Sequence, residues 1–133
     1  MGALTADRNT PERDGRSVVY PVAAGAKIYQ GSLVVLDGGV AKPGFTAAAV
    51  VAVGRAEAAV DNTAGQDGDE TILVTKGVFR FSNLATDPVT LAEVGSSCYI
   101  VDDQTVAKTS ATSARSVAGT VLDVETAGVW VRI

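Results

Sequence analysis

The sequence predicts an all-β protein: a single small β-sandwich or β-barrel domain over residues 17–133, an extended amino-terminal arm over residues 1–16, and at most one short helix. Three observations point there. Ala and Val contribute 21 residues each, whereas Leu, Ile, Phe, Tyr, Trp, Met and Cys together contribute 20. Such a core of small and β-branched side chains suits a pleated surface better than a helical bundle. From Ser17 onward, short apolar runs are punctuated by Gly, Asp and Asn, which gives about nine strands at close spacing. A length of 133 residues with 47% hydrophobic content is enough for one domain with a real core.

The arm comes first. Ala6–Arg16 (ADRNTPERDGR) holds three acids, three arginines, one Pro and one Gly, and nothing apolar larger than Ala, so it cannot fold on itself. Ser17–Val22 (SVVYPV) is the first strand, with Pro21 marking an edge or an end. Gly25-Ala26-Lys27 turns the chain towards Ile28-Tyr29. Leu33–Asp37 and Val40–Lys42 flank Gly38-Gly39, a two-residue hairpin signal. Val50–Val60 is Ala-rich in its second half but shows no helical period; Val51, Val53, Arg55 and Glu57 share one face, which favours a strand with Gly54 at a bulge or crowded crossing.

Asp61–Glu70 reads as a loop, and Thr71–Phe81 as one long alternating strand bulged at Gly77. After Asp87-Pro88, Thr90–Val94 followed by Gly95 predicts one or two helical turns. Cys98–Asp102 pairs with Thr105–Thr109 across Asp102-Asp103-Gln104. The polar stretch Ser110–Ser113 leads to Ser116–Val124, which pairs with Val129–Ile133 through Glu125–Gly128.

Composition excludes several functions. There is no histidine, so His-dependent acid–base catalysis and His-ligated metal sites are ruled out. The single cysteine, Cys98, rules out an internal disulfide and a Cys-rich zinc site. With net charge −4 and lysines scattered at 27, 42, 76 and 108, no basic stripe exists for nucleic acid. The longest apolar run, Ala47–Val53, is too short to span a bilayer, and the charges at Asp7 and Arg8 precede any apolar stretch, so neither membrane insertion nor a signal peptide is expected.

The remaining candidates for chemistry are weak. Asp61, Asp67, Asp69 and Glu70 share a loop but lack the EF-hand spacing, and acids with Gly are what a solvated loop needs. Asp102-Asp103 fits a tight turn rather than a catalytic dyad, which needs burial. Cys98 has no activating base near it and reads as a buried structural thiol. Ser96, Ser97 and Ser110 have no base partner, and no phosphate-binding glycine motif occurs. Aromatic residues, at 5%, are too few for a base-stacking platform. The expectation is a protein that is not an enzyme and uses no cofactor or metal.

The phrases ALTADRNTPERDG, VVYPVAAGAKIYQGSLVVLDGG, VGRAEAAVDNTAGQDGDETILVTKGVFRFSN, CYIVDDQTVAKT and AGTVLDVETAGVWVRI, in that order, resemble a family of small bacteriophage and prophage head proteins, the capsid decoration or cement proteins. The likeness runs from Leu4 to Ile133. It implies a structural protein on the outer surface of the virion capsid, made in the bacterial cytoplasm. The implied partners are the major capsid protein and further copies of itself, a trimer being favoured over a dimer. In that setting Arg8, Arg13 and Arg16 would pair with acids on the shell and Leu4 would anchor in a shallow apolar site. A strand near the arm would be able to add to a neighbour's sheet edge. The alternative is a small β-barrel module recognising carbohydrate or protein on the virion surface, which requires Tyr20, Tyr29, Tyr99 and Trp130 to converge on one face. A carboxylate-only hydrolase would need two acids brought together in a cleft.

Overall fold

A computed structural model describes residues 2–133 and shows an all-β chain. Its strands are β1 (Ser17–Pro21), β2 (Lys27–Ile28), β3 (Leu33–Asp37), β4 (Val40–Pro43), β5 (Val51–Ala56), β6 (Val60–Asp61), β7 (Thr71–Thr75), β8 (Val78–Asn83), β9 (Ser97–Ile100), β10 (Thr105–Ala107), β11 (Val117–Glu125) and β12 (Gly128–Arg132). They form a five-stranded antiparallel sheet in the order β1-β7-β5-β3-β4, a closed barrel β10-β8-β12-β11-β9, and a β2–β6 ribbon. An isolated bridge between Val22 and Ala41 draws the two outer strands of the open sheet together at one end.

The hydrophobic core has two parts, and β3 serves both. Leu33 and Val35 pack into the barrel with Phe81, Cys98, Ile100, Val121 and Val131. Val34 packs the other way, with Val22, Ile28, Val53, Ile72 and Val74. A strand covered on both faces needs an unbroken apolar run, which is why LVVL appears without alternation. Val and Ala dominate because the inside of a five-stranded barrel is narrow.

The hairpins at Gly38-Gly39 and between β11 and β12, the pairing of β9 with β10, and the crowding at Gly54 follow the sequence reading. Two strands differ, while the helical turn expected after Thr90 is present. Thr71–Phe81 is not one bulged strand: it ends in the sheet as β7 and restarts in the barrel as β8. Lys76 donates its N–H to the Arg16 carbonyl at 2.7 Å, and the Gly77 carbonyl accepts from Ile133 N–H at 2.9 Å, so consecutive residues bond to different layers. Val50–Val60 also divides. β5 stops at Ala56, and after a bend Val60 and Asp61 pair with Ile28 and Lys27. The turn after Thr90 is a single 3₁₀ turn, Leu91–Glu93. A capping box closes it, with the Glu93 carboxylate accepting from Thr90 N–H at 2.8 Å.

Polar contacts fix the long connections. The Asp87 carboxylate accepts from the Thr109 hydroxyl at 2.6 Å, the Thr109 N–H at 3.1 Å and the Arg115 guanidinium at 2.9 Å. The Thr109 hydroxyl foremost, with the Thr109 N–H and Arg115, holds the Asp87 carboxyl below its ordinary range. A carboxyl depressed in the folded state stabilises above its unfolded pKa, and that contribution is lost as pH falls through the folded value. Asp87→Asn is therefore expected to lower the urea midpoint at neutral pH and to flatten its fall in acid. An unchanged acid limb would show that this clasp does not set it.

The clasp closes over a strained turn. Ala111, Thr112 and Ser113 are three successive non-glycine residues with φ of 50°, 61° and 66°. Left-handed backbone costs L-residues roughly 1–2 kcal/mol apiece, most for a β-branched one. Thr112→Gly removes that strain and gives back part of it as chain entropy. The expected result is a gain of about 0.5–1 kcal/mol in chemical denaturation. A loss of stability would mean that the Thr112 side chain supports the turn.

Candidate functional site

The arm stands out as the surface presented for contact. Residues 2–16 contribute no strand and are exposed throughout, and Leu4, their one bulky aliphatic side chain, is 71% accessible. Alternating charge and the absence of large apolar residues leave this segment nothing to bury against its own body. Its hydrogen bonds are local: Arg8 donates to the Thr10 hydroxyl at 3.1 Å, and Arg16 N–H donates to the Asp14 carboxylate at 3.0 Å. At its root the Arg16 carbonyl accepts from Lys76 N–H, and the chain enters β1.

The four ion pairs among the described residues are Lys42–Asp37, Arg55–Glu57, Arg80–Glu125 and Arg115–Asp87. None uses Arg8, Arg13 or Arg16. All four residues singled out in the arm are thus exposed on one continuous segment.

β1 lies at the edge of the open sheet and pairs only with β7. The bonds from Lys76 N–H to Arg16 and from Val22 N–H to Glu70 place the even-numbered residues in the hydrogen-bonded positions. Ser17 and Val19 therefore turn their backbone groups to the open side, and Pro21 has no N–H to offer there. Val19 and its cross-strand partner Leu73 are both exposed on one face.

The body also has a hollow of about 750 Å³ between sheet and barrel. Val51 and Val117, both exposed, line it together with Tyr99, Arg115 and Arg132. No Asp or Glu lines it, and the Ser116 hydroxyl is engaged, donating to the Ala47 carbonyl at 2.7 Å and accepting from Val50 N–H at 3.1 Å. The hollow has shape and apolar surface but no acid–base pair. Sequence reading missed it, since Val51 and Val117 sit in strands whose alternation does not reveal which face is left uncovered.

The acidic loop keeps its acids exposed, as expected of a solvated loop, and is organised around one buried amide. Asn62, 2% accessible, donates its side-chain amide to the carbonyls of Val22 at 3.1 Å, Ala23 at 3.0 Å and Gln66 at 2.9 Å. Asp61 accepts from Thr63 N–H at 3.0 Å, Asp67 from Ala24 N–H at 2.7 Å and Asp69 from Gln66 N–H at 2.9 Å. The Thr63 hydroxyl and N–H lower the Asp61 carboxyl. These carboxylates face backbone donors, and no three-ligand cluster for a metal occurs among the described residues.

Asp102 caps its own turn through Gln104 N–H at 2.9 Å, as a tight turn requires, and Asp103 gives its carbonyl to Leu33 N–H at 2.8 Å. Cys98 is buried against the Gly119 carbonyl, and burial pushes its thiol up to about 11, the behaviour of a structural cysteine. The aromatic residues do not converge. Tyr29, Tyr99 and Trp130 line three different hollows, and Tyr20 packs against the second core.

No helix among the described residues is long and apolar enough to cross a membrane. Comparison of the chain with protein-family models, with curated proteins and with solved structures finds no match in any of the three.

Proposed function

We propose that this chain is a non-enzymatic decoration protein that binds the outer surface of a phage capsid and stabilises the expanded head. The observation that carries the reading is the arm: fifteen exposed residues with Leu4 and three guanidiniums outside any ion pair, joined to a small β body. It stands together with the likeness of the chain from Leu4 onward to capsid cement proteins.

In this reading Arg8, Arg13 and Arg16 pair with carboxylates of the major capsid protein, and Leu4 enters a shallow apolar site. Such contacts are individually weak. A capsid repeats its sites, and several arms from one oligomer, a trimer before a dimer, add their effects through a high effective concentration. The open edge of β1 continues the arm and offers backbone groups to a strand of the shell. The scatter of Tyr20, Tyr29, Tyr99 and Trp130 weighs against a sugar-binding face.

The test is the thermal stability of expanded heads that lack the protein. Heads incubated with the intact chain are expected to release their DNA at a higher temperature than untreated heads. Unchanged release at saturating protein would contradict the reinforcing role.

A further inference from the structure

We infer that Asp14–Gly15, at the root of the arm, is a site of spontaneous backbone isomerisation, where aspartate converts to isoaspartate in the folded protein. The chain contains the Asp-Gly dipeptide three times, and the structure treats the first differently from the other two. At Asp37–Gly38 the carboxylate accepts from the Lys42 ammonium at 2.7 Å, inside the β3–β4 hairpin.

At Asp14–Gly15 both residues are exposed and outside any strand, and a side-chain carbon placed on Gly15 would meet nothing within 4 Å. The carboxylate is already folded back. Asp14 accepts from Arg16 N–H at 3.0 Å, and the ring closed by that bond contains the Gly15 nitrogen, the atom that must attack. The missing side chain on Gly15 removes the steric barrier to attack.

At Asp67–Gly68 the same atoms are held apart from reaction. The Asp67 carboxylate is bonded to Ala24 N–H at 2.7 Å, and Gly68 N–H donates to the Val22 carbonyl at 2.9 Å. The nitrogen and carboxyl both have partners across the fold, so the turn must open before they meet.

The chemistry is balanced without a co-reactant. The Gly15 nitrogen bonds to the Asp14 side-chain carboxyl carbon, and the amide proton leaves with the carboxyl hydroxyl as water, closing a five-membered succinimide. Water then adds back to one of the two carbonyls. Attack at the side-chain carbonyl restores Asp14. Attack at the main-chain carbonyl leaves the peptide running through the Asp14 Cβ. That product has the original mass and one extra backbone carbon between Arg13 and Arg16, which changes the spacing of two of the arm's three cations. The reaction depends only on this chain and stands apart from the head-binding reading.

The test ages the full-length folded protein in mildly acidic buffer and locates isoaspartate by protein isoaspartyl methyltransferase labelling with peptide mapping. Label is expected at Asp14 at least about tenfold faster than at Asp67, because Asp67 needs local opening and Asp14 does not. In denaturant the two rates should converge, and Gly15→Ala should slow Asp14 while leaving Asp67 unchanged. Equal rates in the folded chain, faster labelling of Asp67, or indifference to Gly15→Ala would overturn the assignment.

Discussion

Asn62→Asp is expected to cost about 3–5 kcal/mol at neutral pH, because it replaces a buried donor by a charge of the wrong sign. The Asn62 amide nitrogen faces three carbonyl oxygens, and its own backbone donates to Ala26 at 2.8 Å and accepts from Gly25 at 3.0 Å. A carboxylate there points lone pairs at lone pairs. The variant carboxyl must therefore have a folded pKa above its unfolded one. Its stability is highest below the unfolded pKa, where a neutral carboxyl still donates one hydrogen bond, and is lost as pH rises through the folded value. Asn62→Ala, by contrast, leaves the carbonyls unpaired at about 2–3 kcal/mol and adds no titration of its own. Urea unfolding of both variants across pH separates the two effects. Parallel pH profiles would show that the buried amide is not the hub of this loop.

The second large effect belongs to Gly54. Its φ is +140°, a conformation that side chains rarely adopt, and a Cβ there would run into the Thr75 carbonyl oxygen. The position is forced by packing. β5 carries a bulge opposite Val34 and Val35, and its last residues turn to pair with β7. Gly54→Ala is expected to destabilise by about 3–5 kcal/mol, combining backbone strain with displacement of Thr75. It should lower the thermal midpoint without changing the spectrum of the folded state. A loss below about 1 kcal/mol would mean that β5 and β7 separate there with little resistance.

Much of the architecture was legible because its causes are local. LVVLDGGVAK carries its hairpin turn in the sequence, and the closing alternation of Val129, Val131 and Ile133 marks a strand with one buried face. The passage from β7 to β8 was not legible. Period-two alternation runs through Lys76 and Gly77 unbroken, and it reports a half-buried strand without saying which layer the strand joins.

Asn62 was hidden for a different reason. Asp, Asn, Gly and Gln compose a solvated loop and a buried turn network alike, and only the path of Val22 and Ala23 beside the loop decides between them. The left-handed turn at Ala111–Ser113 has no glycine to announce it; the Asp87 clasp, from residues far away in sequence, holds it in place. The arm was the opposite case. Charge and the lack of bulky apolar residues are enough to keep Leu4, Arg8, Arg13 and Arg16 outside the core, and all four are exposed.

Co-sedimentation with expanded heads lacking the protein tests the proposed function most directly, using the intact chain and a chain without residues 2–16. The expected result is saturable binding of the intact chain, abolished by removal of the arm and weakened by added salt as the guanidinium pairs are screened. Absence of binding by the intact protein would contradict the capsid reading itself, and undiminished binding without the arm would contradict its assignment as the anchor.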